Sequence, residues 1–203
     1  LPLRSHDALL GAGERLSARL LAACLNLKGT PAEYRDLSNA VGEGETAVDP
    51  GFFQRVQARV AELCRPEPDV VPIVTGYFGF VPGGLLRAVG RGYTDFTAAL
   101  IAAGLGRERV DELQVWKEVD GIYTADPRRV PAASVLARIS PTEASELTYF
   151  GSEVLHPFTM ERVASAGVPI RIKNTFRPDA PGTVIMARGE QAPPRVTAVT
   201  AKR

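Results

Sequence analysis

Apolar positions in the first part of the chain recur at helical spacing. Leu9, Leu16, Leu20, Leu21 and Leu25 predict one long helix from Asp7 to Leu27, ended by Lys28 and Gly29. "AEYRDL" (Ala32 to Leu37) is a short strand candidate, and "VGEGETAV" is loop. "GFFQRVQARVAELC" (Gly51 to Cys64) predicts an amphipathic helix. "VVPIVTGYFG" (Val70 to Gly79) is an apolar run that ends in a glycine turn, as a buried parallel strand does. "FVPGGLL" is a loop of glycine and proline, and a helix follows from about Thr94 to Ala103. "ELQVWKEV" (Glu112 to Val119) is the next strand, and "DGIYTADPRRVP" is a polar loop. "SPTEASELTYFG" predicts a helix capped by Ser140 or Thr142, with Pro141 near its first turn. "PFTMERVASAG" predicts another, closed by Gly167, and "VPIRIKNT" and "GTVIMA" are two further strands.

Strands alternating with helices argue for an α/β fold, a mainly parallel sheet with helices on both faces. Ligands of such sheets sit at the carboxyl ends of strands. That rule singles out the loops after Val74, after Trp116 and before the helix at Thr94.

Composition narrows the function more than the fold. The 203 residues are 45% hydrophobic, enough for one core. Twenty-four Lys and Arg face 23 Asp and Glu, which leaves no electrostatic footprint for nucleic acid or an anionic membrane. No apolar run approaches the roughly 18 residues of a membrane span, and the N-terminus has no signal-peptide pattern. Cys24 and Cys64 have neither CxxC nor His spacing for zinc, so no metal site is expected from them. Both are expected to be buried thiols in a reducing compartment.

Three loops carry chemistry. In "GRGYTDFTAAL" (Gly90 to Leu100), Arg91 offers a planar fork for a carboxylate or phosphate, and the helix start offers N–H groups. Thr94 and Asp95 serve equally as helix caps. In "VWKEVDGIYTADPR" (Val115 to Arg128), Tyr123, Asp126 and Arg128 project from a loop after a strand. An aromatic ring and an arginine there suit a nucleotide, and a plain β-turn stands beside that reading. In "YFGSEVLHPFTMERV", His156 precedes a helix-opening proline and reads either as structural or as a site residue. Glu14 in "GAGERL" is either a capping residue or a ligand for a substrate amine. The P-loop, nucleophile elbow, zincin and protein-kinase motifs are absent from the sequence.

Taken in order, "GERLSA", "VTGYFG…VPGG", "GRGYTDFTAAL", "VWKEVDGIYTADPR", "ISPTEASELTYFGSEVLHP" and "VPIRIKNTF…PGTVI" resemble the blocks of the aspartate kinases of the amino acid kinase superfamily. They span about Gly11 to Ile185 and are most similar to the fungal-type branch. The resemblance implies a three-layer α/β/α sandwich. It also implies transfer of the ATP γ-phosphoryl group, with Mg²⁺, to the side-chain carboxylate of L-aspartate. The product, 4-phospho-L-aspartate, feeds threonine, methionine and lysine synthesis. By the same resemblance Glu14 binds the substrate amino group and Arg91 a substrate carboxylate. Thr94 and Asp95 lie at the reacting end, Asp95 as an organiser. Tyr123 and Arg128 bind ATP, flanked by Lys117 and Glu118 and by Glu153 and Val154, and His156 takes a positioning role. The implied protein is cytoplasmic and homo-oligomeric.

The chain also departs from the family pattern. The glycine-rich "KFGG[TS]S" loop, whose lysine neutralises the transferring phosphate, does not occur. Residues 1–187 therefore read as a partial kinase domain without its first βα unit, and 188–203 as a linker toward a regulatory ACT region. Activity of the chain alone is expected to fall on the order of 10³-fold without that cation. Lys117-Glu118 replaces a common Thr-Asp, and Glu153 a common Lys; Lys117 is expected either to supply phosphate-side charge or to take part in a surface salt bridge among these residues. The alternatives are a non-catalytic nucleotide- or amino-acid-binding relative, and another acyl-phosphate kinase acting on glutamate, acetylglutamate or carbamate.

Overall fold

The computed structural model describes residues 2–90, 92–149, 155, 157–186 and 197–198. They form two compact units that divide between Leu105 and Gly106.

The first unit runs α1 (Leu3–Leu27), β1 (Ala32–Arg35), α2 (Phe52–Leu63), β2 (Val71–Val74), α3 (Leu85–Ala88) and α4 (Tyr93–Leu105). β1 and β2 pair in parallel, with Ala32 opposite Val71. α2 and α4 pack over a core of Phe52, Val56, Val60, Phe78, Phe96 and Leu100. Phe53 meets Phe96 edge to face, ring centroids 5.2 Å apart, the arrangement the ring quadrupole favours.

Helix α1 forms where predicted but does not bury the predicted face. Leu9, Leu16, Leu20 and Leu21 are exposed, whereas Gly11, Ala18 and Ala22 are buried. Those small residues fall on one stripe and let the helix lie close against β1 and β2. Side-chain volume, rather than apolarity, selects the contact face. The end of α1 is tied to β1 by Asn26, whose amide donates to the Ala32 carbonyl at 2.7 Å and accepts from the Ala32 N–H at 3.0 Å. Cys64 is buried as expected; Cys24 is exposed, because it sits outside the small-residue stripe.

The second unit runs β3 (Leu113–Lys117), β4 (Arg138–Ile139), α5 (Pro141–Tyr149), α6 (Pro157–Ser165), β5 (Ile170–Asn174) and β6 (Thr183–Ile185). Its sheet order is β3-β5-β6-β4. β3 pairs parallel with β5 and β4 with β6, while β5 and β6 run antiparallel. The α/β class and the mainly parallel pairing expected from the sequence hold; the antiparallel pair joins the last two strands directly. Alternate residues Ile170, Ile172 and Asn174 of β5 are buried, so this strand keeps a two-residue period.

Two elements escape the hydrophobic pattern. α3 has only four residues and begins at the end of the glycine-proline loop, and β4 has two. Buried Asp7 in α1 accepts the Leu85 N–H at 2.9 Å and so caps α3 from outside its own segment. At α5 the cap is Ser140: its hydroxyl accepts the Glu143 N–H at 3.2 Å, and Glu143 accepts the Ser140 N–H at 2.7 Å. This reciprocal pair is a capping box.

Candidate functional site

In the first unit the polypeptide leaves β2 at Val74 and enters Thr75-Gly76. Thr75 is fully buried; its hydroxyl accepts the Leu37 N–H at 2.9 Å and donates to the Tyr77 carbonyl at 2.8 Å. The loop after β2 is thereby locked to the loop after β1. Gly76 then passes beneath two side chains. A methyl group there would stand 2.5 Å from Glu14 Oε2 and 2.6 Å from Thr94 Cγ2. Only glycine leaves room for both.

Glu14 on α1 and Thr94 in the first turn of α4 meet above that glycine. The Thr94 hydroxyl donates to Glu14 Oε1 at 2.9 Å. Buried Thr97 stands one turn further along α4, with its hydroxyl beside the Gly76 carbonyl and 2.8 Å from the Tyr93 carbonyl. Burial pushes the Tyr93 phenol above its ordinary pKa, and the nearby Glu14 carboxylate adds to the effect. Asp95, half-buried, lies in the first turn of α4, where a carboxylate is favoured by the helix dipole. Glu14, Ser17, Thr75, Gly76, Thr94 and Ile101 line a groove of about 310 Å³ here. An ionised carboxylate has capacity beyond one hydroxyl, so Glu14 can still accept hydrogen bonds from a cationic ligand. Gly90 has a positive φ of 96°, and Arg91 lies outside the described residues.

In the second unit β3 ends at Lys117, paired in register with Asn174 of β5. Thr175 closes the strand end: its N–H donates to the Lys117 carbonyl at 2.8 Å and its hydroxyl at 3.0 Å. Glu118 is exposed beyond it. Asp120 then turns inward and is 9% exposed. It accepts from Asn174 Nδ2 at 2.7 Å, from the Tyr123 hydroxyl at 2.8 Å and from Arg177. Gly121 has a φ of 145°, and a side chain there would collide with Thr183. The Thr183 hydroxyl accepts the Ile122 N–H at 2.8 Å, which fixes the turn against β6.

Tyr123 is thus held at the edge of the sheet, half-buried. Arg128 sits further out: its Nε lies 3.1 Å from Asp126, and its side chain is 89% exposed. Hydrogen bonds from the Arg128 side chain and backbone hold the Asp126 carboxyl below its ordinary pKa. Glu153, Val154 and His156 lie outside the described residues. Among the described residues no group of three or more His, Cys, Asp or Glu could hold a metal ion, and no helix is long and apolar enough to cross a membrane.

The structure brings Glu14 and Thr94 into contact. It places Lys117 at the end of β3 and Glu118, Tyr123 and Arg128 along the loop that follows. Sequence reasoning missed Gly76, Thr97, Asp120, Asn174, Arg177 and Thr183. The Asp120-Gly121 dipeptide announced a turn, but its carboxylate partners come from 54 and 57 residues away.

The model of the amino acid kinase family matches residues 1–174. The aspartokinase of Schizosaccharomyces pombe is 52% identical over 184 residues, covering 90% of this chain and 35% of that protein. The aspartokinase of Saccharomyces cerevisiae is 48% identical over 202 residues, covering 94% of this chain and 38% of that protein. The chain thus spans little more than a third of the length of these fungal relatives. Among solved structures, E. coli aspartokinase III in complex with aspartate and ADP superposes with a TM-score of 0.71 at 29% identity, covering 91% of this chain and 41% of that one. UMP kinase from Bacillus anthracis, 17% identical with a TM-score of 0.60 over 93% of this chain and 72% of that one, shares the fold.

Proposed function

We propose, from the premise that this chain belongs to the amino acid kinase family, that it carries part of an aspartate kinase. The reaction is transfer of the ATP γ-phosphoryl group to the side-chain carboxylate of L-aspartate, giving 4-phospho-L-aspartate. The observation that carries the reading is the Glu14–Thr94 contact seated over Gly76 at the carboxyl end of β2. It presents a carboxylate for a substrate ammonium beside the start of a helix that favours anions.

The chemistry asks little covalent help of the protein. The acceptor carboxylate is ionised at neutral pH, so no strong base is required. Positioning and charge neutralisation dominate phosphoryl transfer. Glu14 holds the substrate amine, Thr94 keeps the Glu14 carboxylate in place, and Arg91 holds a substrate carboxylate. Asp95 organises the polar groups of the first turn. In the second unit Tyr123 contacts the base or ribose, and Arg128 the phosphates. Lys117 supplies phosphate-side charge, with Glu118, Glu153 and Val154 flanking the nucleotide and His156 positioning its loop. Mg²⁺ bound to ATP neutralises phosphate charge, and such an ion needs no dedicated protein cage. Placement in the pathway to threonine, methionine and lysine, a cytoplasmic location and a homo-oligomeric state belong to the same reading. The similarity to fungal aspartokinases supports the reaction.

Calorimetric titration of the chain with L-aspartate, L-glutamate and N-acetyl-L-glutamate tests the substrate class. Aspartate should bind in preference to both. A hydroxamate assay with ATP, run on the gene product that contains this chain, tests turnover. Preferential binding and phosphorylation of glutamate or acetylglutamate would replace the proposal with another acyl-phosphate kinase. Binding without turnover would favour a regulatory relative.

A further inference from the structure

We propose that Asp120 is a positioning residue of the nucleotide site, holding Tyr123 by its hydroxyl so that the tyrosine offers a ligand its ring face. The inference rests on the reading of Tyr123 as a nucleotide-contacting side chain. It adds a residue and restricts what Tyr123 can do.

The hydrogen-bond inventory carries the argument. Asp120 sits at the exit of β3, nearly excluded from solvent. Its Oδ1 accepts from Asn174 Nδ2 at 2.7 Å. Its Oδ2 accepts from the Tyr123 hydroxyl at 2.8 Å and from the Arg177 guanidinium. A phenol has one proton to donate. Tyr123 spends it on Asp120, so toward a ligand it keeps its ring and an acceptor lone pair. A ring fixed this way suits stacking on a base.

Two of the carboxylate's three partners are themselves held. Asn174 is 5% exposed, and its Oδ1 accepts the Phe176 N–H at 2.8 Å. The loop is fixed on its far side too, where the Thr124 N–H donates to the Ser134 carbonyl and the Leu136 N–H to the Ile122 carbonyl. Arg177 adds an electrostatic function. A buried carboxylate close to nucleotide phosphates would repel them; a guanidinium on the same oxygen offsets that charge. Because Arg177 remains largely exposed, it also keeps donors directed toward solvent.

The test is a double-substitution cycle read by binding of a fluorescent N-methylanthraniloyl ADP to the purified chain, with thermal melting followed in parallel. Asp120→Ala should weaken nucleotide binding about tenfold or more, the usual effect of removing a hydrogen bond to a charged group. Tyr123→Phe should weaken it in the parent and change nothing further beside Asp120→Ala. L-Aspartate binding should not move. Tyr123→Phe, which keeps the ring and loses only the hydroxyl, covers the case in which the alanine variant does not fold: by itself it should weaken nucleotide binding severalfold.

Failure of the parent to bind the nucleotide overturns the reading of this loop and the proposal with it. Binding by the parent that is unaltered in Tyr123→Phe overturns the positioning role alone. So does a cycle in which the two substitutions add independently. A purely structural role lowers the melting temperature without the non-additivity.

Discussion

The Thr94 hydroxyl donates to Glu14 across 2.9 Å, joining the first turn of α4 to α1 over a separation of 80 residues. No local pattern specifies that contact. It depends on β2 delivering Gly76 beneath both side chains. Glu14→Gln keeps the shape and removes the charge. L-aspartate affinity should fall at least tenfold, the scale of a lost charge-assisted hydrogen bond, with little change in melting temperature. Calorimetry on the two proteins decides it, and equal affinities would remove Glu14 from the substrate site.

Gly76→Ala tests the same geometry from below. The added methyl would stand 2.5 Å from Glu14 Oε2 and 2.6 Å from Thr94 Cγ2. Glu14 can swing aside, at the expense of its contact with Thr94. Stability should fall by about 1–3 kcal/mol, the ordinary effect of overpacking. Aspartate binding should fall more steeply than it does in Thr94→Val, which loses only the hydroxyl. Denaturant melts and titrations on both variants separate the two effects.

The capping box at α5 should contribute measurably to the second unit. Ser140→Ala removes the acceptor for the Glu143 N–H and should lower stability by about 1 kcal/mol. Ser140→Asp should recover most of it. A melting temperature unchanged by the alanine would show that the cap carries no stability here.

Glu112 provides a pH dependence. Burial acts to raise its pKa, but hydrogen bonds from Gln114 and Arg171 outweigh it and hold the carboxyl below its ordinary value. Arg171 Nε lies 2.7 Å from Glu112. A carboxyl depressed in the folded state stabilises it above the unfolded value, about pH 4.3. That contribution fades as pH falls through the lower folded value. The stability gap between the parent and Glu112→Gln should therefore be full at pH 6 and close in the acid range. A gap independent of pH would assign the effect to packing.

The two cysteines should differ in reactivity. Burial pushes the Cys64 thiol up to about 11, whereas Cys24 is exposed on α1. An aromatic disulfide reagent at pH 8 should titrate one thiol in the native protein and two in denaturant. Rapid reaction of both in the native state would contradict the burial of Cys64.

Helical period, apolar runs and turn chemistry alone predicted α1, α2, α4, α5 and α6, the strands β1, β2, β3, β5 and β6, and a cap of α5 at Ser140 or Thr142. Those signals are local, since a helix start or an alternating strand is written in consecutive residues. The motif order pointed to the amino acid kinase family. Tertiary structure decided which face of α1 is buried, because the close approach of a helix to a sheet selects small residues over large apolar ones. It also decided the antiparallel β5–β6 pair, the two-residue β4, and the capping of α3 by Asp7. The clusters around Glu14 and Asp120 depend on it most. Their hydrogen bonds join groups tens of residues apart, and a side chain reveals its partner only when the backbone has brought the two within about 3 Å.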